Sequence, residues 1–428
     1  MKRNVGCNMF DHAVSRRNFM LGATTAAGFG GLLPATWAKD AEKNQKQILQ
    51  VYLQGGVSQL ESWDPKPGTE LGGPFRSIPT SVPGIHISEL LPHTAKMMHL
   101  LSLVRSINLE TDDHSQGRLF MEKGRNAPFV GAAARNTGVY PFLGAVAAKY
   151  LDSRDTALPG YIHISTRGII DDTAGFLEPQ YAQFKLEGVK APENLDLPKN
   201  ISKKLYMARN DLRSRLDQQF AARRRKSYID ALGSSFNQAS KLMDRKGLFE
   251  AEQDPKDLER YGTHDFARNC ILGRTLLERG VTCVKVTHHG YDSHAENFNF
   301  HLEQLGEFDK TFATLLGDLE DRGMLEHTLV MIYSEFGRTP KINHRYGRDH
   351  WGSAWSIALG GCGIQTGGVI GKTNDKGTEV TDREVHGGHL FHTYLKAVGI
   401  DPAQDHDVPG RVIPIGDPAV APVEELLA

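Results

Sequence analysis

The sequence predicts an α/β protein organised on a parallel β-sheet, and three observations carry that expectation. Thr328–Tyr333 (Thr-Leu-Val-Met-Ile-Tyr) is a nearly unbroken apolar run, the pattern of a strand buried on both faces. Val281–Thr287 is a second run, β-branched and almost uncharged, and between the two Leu305, Phe308, Phe312, Leu315, Leu316 and Leu319 recur at helical spacing. Strand, helix and strand at this spacing form a βαβ unit, which predicts parallel strands with adjacent carboxyl ends. Finally, polar residues follow both runs directly: Asp292 and His294 after the first, Glu335, Arg338, Asp349 and His350 after the second. Open α/β sheets bind ligands beyond the carboxyl ends of their strands.

Taken in order, the chain begins with a targeting pattern. Ser15-Arg16-Arg17-Asn18-Phe19-Met20 precedes Leu21–Leu33, an uncharged Gly/Ala/Thr-rich stretch too short for the about 20 residues that span a bilayer. A twin arginine before a mildly apolar segment predicts export by the twin-arginine route, with a leader over 1–38 cleaved after Ala38. The chain is then expected in the periplasm or otherwise exported, with the twin-arginine machinery as a partner and no transmembrane span after cleavage. Residues 39–428 form the mature domain. Ile48–Leu53 reads as its first strand and runs into Gly55-Gly56, a pair that permits a tight turn, then Ser58, Glu61 and Asp64 at three-residue intervals. Leu100–Ile107 is a second strand, followed by a helix entered at Thr111–Ser115 and stopped by Gly124. Tyr161–Ser165 is a third strand candidate. Over about 191–257 the composition shifts, and Ala208, Leu212, Leu216 and Phe220 mark an amphipathic helix beginning near Ile201, read as a helical insertion. A helix closed by Gly280 precedes Val281, a short strand covers Trp355–Leu359, and a last helix runs from about His386 to Val398.

Hydrophobic residues make up 39% and charged residues 24%, with formal net charge −1. This balance suits a globular protein and gives no support for nucleic-acid binding, which leaves a basic footprint. Cys7 lies in the leader, and Cys270, Cys283 and Cys362 lack Cys-x-x-Cys spacing, so packing is their expected role.

The acids and histidines on successive strand ends suit divalent metal ions. Imidazole with carboxylate holds zinc, manganese or iron, and all-oxygen sites favour magnesium or calcium. The expected ligands are Asp292, His294, Asp349 and His350, with Glu61, Asp64 and Glu335 as further oxygen donors. Two metals about 3.5–4 Å apart can stabilise both attacking and leaving oxygens in a phosphoryl or sulfuryl displacement. Arg338 or Arg348 could hold the remaining anionic oxygens. Thr111 and Ser115, at a helix N-terminus, are the hydroxyls placed to act as nucleophile or to hold an anion. Competing motifs fail: there is no Gly-x-Ser-x-Gly and no His-Glu-x-x-His, and Gly367–Thr373 misses the first glycine of a P-loop.

Together these segments resemble the family called domain of unknown function 1501, in the alkaline-phosphatase-like (sulfatase-like) superfamily. The resemblance rests on Gly55-Gly56-Val57-Ser58 with Asp64-Pro65-Lys66-Pro67, Asp113-His114 with Gly124-Arg125, Tyr261-Gly262-Thr263, Tyr291–His294, Ser334–Pro340 and Gly347–Trp351. It implies a doubly wound α/β/α sandwich with a mostly parallel central sheet. In characterised members it also implies two metals and a Thr, Ser or modified Cys nucleophile. The resemblance makes His114 a catalytic candidate beside Thr111, Ser115 and Arg338. The sequence departs from the pattern in two places. Relatives carry an acid at the end of the first strand, where this chain has Gln54-Gly55-Gly56, and Ser-Asp-His-Gly where it has Ser334-Glu335-Phe336-Gly337, with Asp349-His350 in position to compensate. No Cys-x-Pro-x-Arg sulfatase motif is present. The expected function is an exported metal-dependent hydrolase of phosphate or sulfate esters, on a small-molecule or glycan substrate. The alternative is a non-catalytic periplasmic binding or assembly module for an anionic glycan, and a third reading is an exported redox protein.

Overall fold

The residues after each predicted strand can meet only if the strands share a sheet and a direction, and the computed structural model shows that they do. It describes residues 45–125, 140–151, 158–168, 172–192, 195–221, 226–250, 253–408 and 411–428; the predicted leader lies outside the described residues. The strands are β1 (Gln47–Leu53), β2 (Leu101–Ile107), β3 (Tyr161–Ser165), β4 (Phe184–Glu187), β5 (Cys283–His288), β6 (Thr328–Tyr333), β7 (Trp355–Gly361) and β8 (Val369–Ile370). They form one eight-stranded sheet in the order β8-β2-β7-β6-β1-β5-β3-β4. Strand β7 runs antiparallel to both its neighbours, and every other pairing is parallel.

All seven residues of β1 are buried. Alternate side chains go to opposite faces of a strand. Leu49, Val51 and Leu53 accordingly join one core, and Ile48 and Tyr52 the other. Helices α5 (Asp265–Glu278) and α6 (Asn297–Asp321) cover the first core through Cys270, Ile271, Leu276, Phe308, Phe312 and Leu319. On the other side α1 (His114–Lys123), α2 (Leu143–Tyr150) and α7 (Gly387–Ala397) bring Phe120, Met121, Val146, Leu390 and Tyr394. The result is a doubly wound α/β/α sandwich. Cys270, Cys283 and Cys362 are buried, unbridged thiols within it. Among the described residues no helix is long and apolar enough to cross a membrane.

Two expectations change. The βαβ unit β5–α6–β6 is parallel, but its strands do not touch: β1 lies between them, with Leu49 opposite Val284 on one side and Val330 on the other. The Asp292 and Glu335 loops therefore face each other across the Gly55-Gly56 turn. The amphipathic helix of the 191–257 region forms as α3 (Lys203–Ala221) and packs beside α4 (Lys226–Met243), yet its apolar positions Leu212, Leu216 and Phe220 point away from that partner and stay exposed. The periodicity is helical, but the stripe it describes is not a core face.

Candidate metal centre

The parallel strands end on one side of the sheet, and the antiparallel β7 begins there. The β1 turn is built from Gly55 and Gly56, both at positive φ. A side chain at Gly55 would put its Cβ 2.5 Å from the backbone nitrogen of Asp292, so only glycine lets the β5 loop come this close. Ser334 locks the turn to β6: its hydroxyl accepts from the Gly56 and Val57 N–H groups (3.1 and 3.2 Å) and donates to the Leu53 carbonyl (2.5 Å). Asp113 caps α1 by accepting from Gln116 N–H at 3.0 Å, and Gly117, whose Cα lies against the Glu335 backbone, lets the first turn of α1 press onto the β6 loop.

These supports bring three imidazoles around one carboxylate. Nε2 of His114 lies 3.5 Å from Asp292 Oδ2, while Nε2 of His294 and of His350 lie 3.1 and 3.3 Å from Asp292 Oδ1. Nε2 of His294 and Nε2 of His350 are 2.9 Å apart. The outer nitrogens are all engaged away from this centre. His114 Nδ1 meets Glu335 Oε1 at 2.7 Å, His294 Nδ1 meets Asp349 Oδ1 at 2.8 Å, and His350 Nδ1 meets the Asp112 carbonyl at 2.7 Å. Two carboxylates and a carbonyl only accept, which assigns a proton to Nδ1 in each ring and leaves Nε2 facing inward, able to carry a second proton to Asp292 or to offer a lone pair to a cation. Lone pairs facing at 2.9 Å repel unless a proton or a cation sits among them. A metal-binding histidine characteristically donates its other N–H to a carboxylate or carbonyl, so the donor set fits a bound divalent ion. His114, Asp292 and His350 form the single metal-competent cluster found among the described residues. Phe336, in the position where the resemblance implies a histidine, walls the centre with its ring 4.7 Å from that of His114 and 4.5 Å from that of His350.

Charge is concentrated here. Burial favours the neutral acid at Asp292, but hydrogen bonds from His114, His350 and Arg338 outweigh it and hold the carboxyl far below the usual range. Burial likewise disfavours protonation of His114, and Asp292 and Glu335 overcome this and raise it to about 9. A cation entering the site competes with that proton, so loading is favoured by alkaline conditions.

The sequence-derived candidates sort by position. Asp292, His294 and His350 point at the centre. Glu335 and Asp349, expected as ligands, stand one step behind it instead: the fully buried Glu335 is spent on His114 and on the Gly55 N–H (2.9 Å), and Asp349 on His294 and Asn343. His114, expected among the catalytic groups, is in the donor set. Arg338, expected to grip substrate, is wholly buried and cannot; it donates to Asp292 Oδ1 (2.5 Å) and to the Gly55, Gly56 and Arg348 carbonyls, so it positions the carboxylate. Glu61 and Asp64 lie elsewhere. Both Glu61 oxygens receive the guanidinium of Arg348 (2.8 and 3.1 Å), and Asp64 binds Thr373 and Lys66. Thr111 shapes the entry to α1, its hydroxyl taking the Asp113 N–H and meeting Gln116. Ser115 is exposed and lines the adjoining cavity of about 430 Å³ with Tyr52, Arg118, Arg167, His289 and Gly290. Arg118, Arg167 and His289 were not singled out by motif. The available signals were position: Arg118 is one turn beyond His114 on α1, and His289 and Arg167 fall just past β5 and β3.

A sequence comparison places residues 45–427 in a family described as "Protein of unknown function (DUF1501)". The chain belongs to this family. No curated protein matches the DUF1501 chain. Among solved structures it is similar to a magnesium-bound mutant of the alkaline phosphatase from the Antarctic bacterium TAB5 (11% identity, TM-score 0.37, 84% of this chain and 99% of that chain). It is also similar to a lipoteichoic acid synthase from Listeria monocytogenes (10%, 0.39, 88% and 75%) and a sulfatase from Pseudoalteromonas sp. (13%, 0.35, 85% and 70%).

Because Glu335 only orients His114 in this DUF1501 site, Glu335→Gln is expected to weaken metal affinity by about 10–100-fold without removing it. Titration of the apo-protein with a fluorescent zinc competitor measures this. Complete loss of binding would make Glu335 a direct ligand, and unchanged affinity would remove it from the site.

Proposed function

We propose that this DUF1501 protein is an exported, metal-dependent hydrolase of phosphate or sulfate esters. The observation that carries the reading is the orientation of three histidines, each tied outward through Nδ1 and aimed inward at Asp292 through Nε2. His114, Asp292 and His350, with His294 beside them, would hold a divalent ion, which when bound would supply Lewis acidity toward an anionic oxygen. The protein's own residues do the rest. Arg167 and the N-terminus of α1 face the cavity and favour a tetrahedral anion. Ser115, on the first turn of α1, is the hydroxyl that reaches that space, and it is the proposed nucleophile in preference to Thr111. Burial and the neighbouring Arg167 lower His289 to about 4, so it is neutral at pH 7 and lines the cavity as an uncharged ring. Export rests on the Arg16-Arg17 leader and its proposed cleavage after Ala38.

The donor set gathers around one ion; among the described residues, those expected to hold a second are engaged in other contacts. Full-length protein is expected to retain about one zinc, manganese or iron ion per chain by elemental analysis. It is expected to hydrolyse members of a panel of aryl and sugar phosphates and sulfates, with Ser115→Ala inactive but still loaded. Metal-free protein that stays inactive after adding zinc, manganese, iron, magnesium and calcium overturns the reading. A loaded protein that binds anionic glycans without turnover selects the non-catalytic module instead, a reading supported by Glu335 being fully engaged by the chain and by Phe336 replacing a histidine.

A further inference from the structure

Helix α3 is amphipathic the wrong way round. Its 19 residues extend about 28 Å. Leu205, Leu212, Leu216 and Phe220 recur seven, four and four residues apart, which puts them on one face. That face is solvent-exposed: the four are 42%, 59%, 55% and 57% accessible. The half-buried face of α3 is polar, formed by Tyr206, Asn210, Arg213, Ser214 and Asp217. It is this face that meets α4, where the Arg213 guanidinium lies 4.2 Å from the Phe236 ring centre; at the exposed start of α3, Lys203 pairs with Asp244, just past the end of α4, at 3.0 Å. A helix that shows its leucines to water in the folded chain has a partner for them elsewhere.

The charge around the stripe says which partner. Helix α3 carries Lys203, Lys204, Arg209, Arg213 and Arg215 against Asp211 and Asp217. Both acids are taken up inside the helix, Asp211 by Arg215 (2.6 Å) and Asp217 by Arg213 (2.7 Å). The charge left along the stripe is thus positive, with Arg209 on the same arc as Leu216 and Phe220 and Lys204 to one side. The cations left over, Lys204 and Arg209, lie in the N-terminal half, so a second copy of α3 packed in parallel would set like charge against like there. An exposed apolar stripe with unneutralised Arg209 and Lys204 on or beside it suits the interface of an anionic bilayer, where leucine and phenylalanine enter the acyl boundary and the long basic side chains reach out to the headgroups.

We propose that α3 docks this protein on an anionic lipid surface, with Leu205, Leu212, Leu216 and Phe220 buried in the interface and Lys204 and Arg209 on the lipid phosphates. The ester-hydrolase reading is not needed for this inference. The test is sedimentation of the full-length protein with vesicles of phosphatidylcholine, with and without phosphatidylglycerol. Binding is expected only where phosphatidylglycerol is present, and to weaken as salt is raised. Leu212→Gln with Leu216→Gln is expected to lower the partition coefficient on the order of tenfold. Lys204→Gln with Arg209→Gln is expected to lower it several-fold, and these exposed changes leave the circular dichroism spectrum unchanged. The Leu21–Leu33 segment is common to wild type and variants, so the difference between them isolates α3. Failure of the wild type to bind, or equal binding by the leucine variant, overturns the proposal. So does a dimer, seen by light scattering, that the leucine variant dissociates, since the stripe would then belong to a second copy.

Discussion

Asp292→Ala is expected to strip the metal from the purified protein and to lower ester hydrolysis on the order of a thousandfold. Asp292 is the group on which every inward-facing nitrogen converges, and it is the sole carboxylate in the donor set. The loss is double, because Arg338 is wholly buried and Asp292 is its only anionic hydrogen-bond partner among the described residues. Asp292→Asn separates the two effects. The amide oxygen can still accept from Arg338 and preserve the fold, while the missing charge weakens the metal. Elemental analysis, initial rates and urea unfolding of both variants read them apart. Full metal occupancy in Asp292→Ala would remove the centre from this position.

The second large effect belongs to a residue that sequence pattern placed in the site and the fold places outside it. Glu61 and Arg348 are both fully buried and pair through two hydrogen bonds. Removing one partner of such a pair leaves a desolvated charge, so Glu61→Ala is expected to cost about 3–5 kcal/mol of stability. Metal content is expected to be unchanged. Burial would raise the Glu61 carboxyl, but the Arg348 guanidinium and His301 outweigh it and hold it below its ordinary value. A carboxyl depressed in the folded state contributes its stability in full above the unfolded value of about 4.3, and loses it as pH falls through the folded value. Glu61→Gln is therefore expected to flatten the acid side of a stability–pH profile below about pH 4.3, measured by urea midpoints. Metal loss with unchanged stability would return Glu61 to the ligand set.

Residue type reveals the elements of this chain better than it reveals their partners. Strands β5 and β6 are legible because β-branched or apolar runs of this length seldom fold as anything but buried strands, β3 because it alternates apolar and polar residues, and the loops behind β5 and β6 because acids and histidines cluster there. What is not legible is who pairs with whom. Residue type does not distinguish a carboxylate that faces a metal, as Asp292 does, from one that holds a histidine, as Glu335 does, or one that neutralises a buried arginine, as Glu61 does. Strand order is equally silent: β1 enters between β5 and β6 through contacts more than two hundred residues apart. Helical periodicity identifies α3 but not which of its faces meets the protein.

The placement of β1 also governs how the molecule comes into being. It is the earliest strand of the sheet to leave the ribosome, and both its neighbours are made much later. At usual translation rates the segment between Leu53 and Cys283 takes about 10–50 s to synthesise. Throughout that interval Ile48-Leu49-Gln50-Val51-Tyr52-Leu53 is an apolar strand with two bare edges, a hazard for aggregation. Folding is therefore expected to be post-translational and slow, dominated by closure of very long loops. A cell making this protein must shelter its first strand until its last third exists.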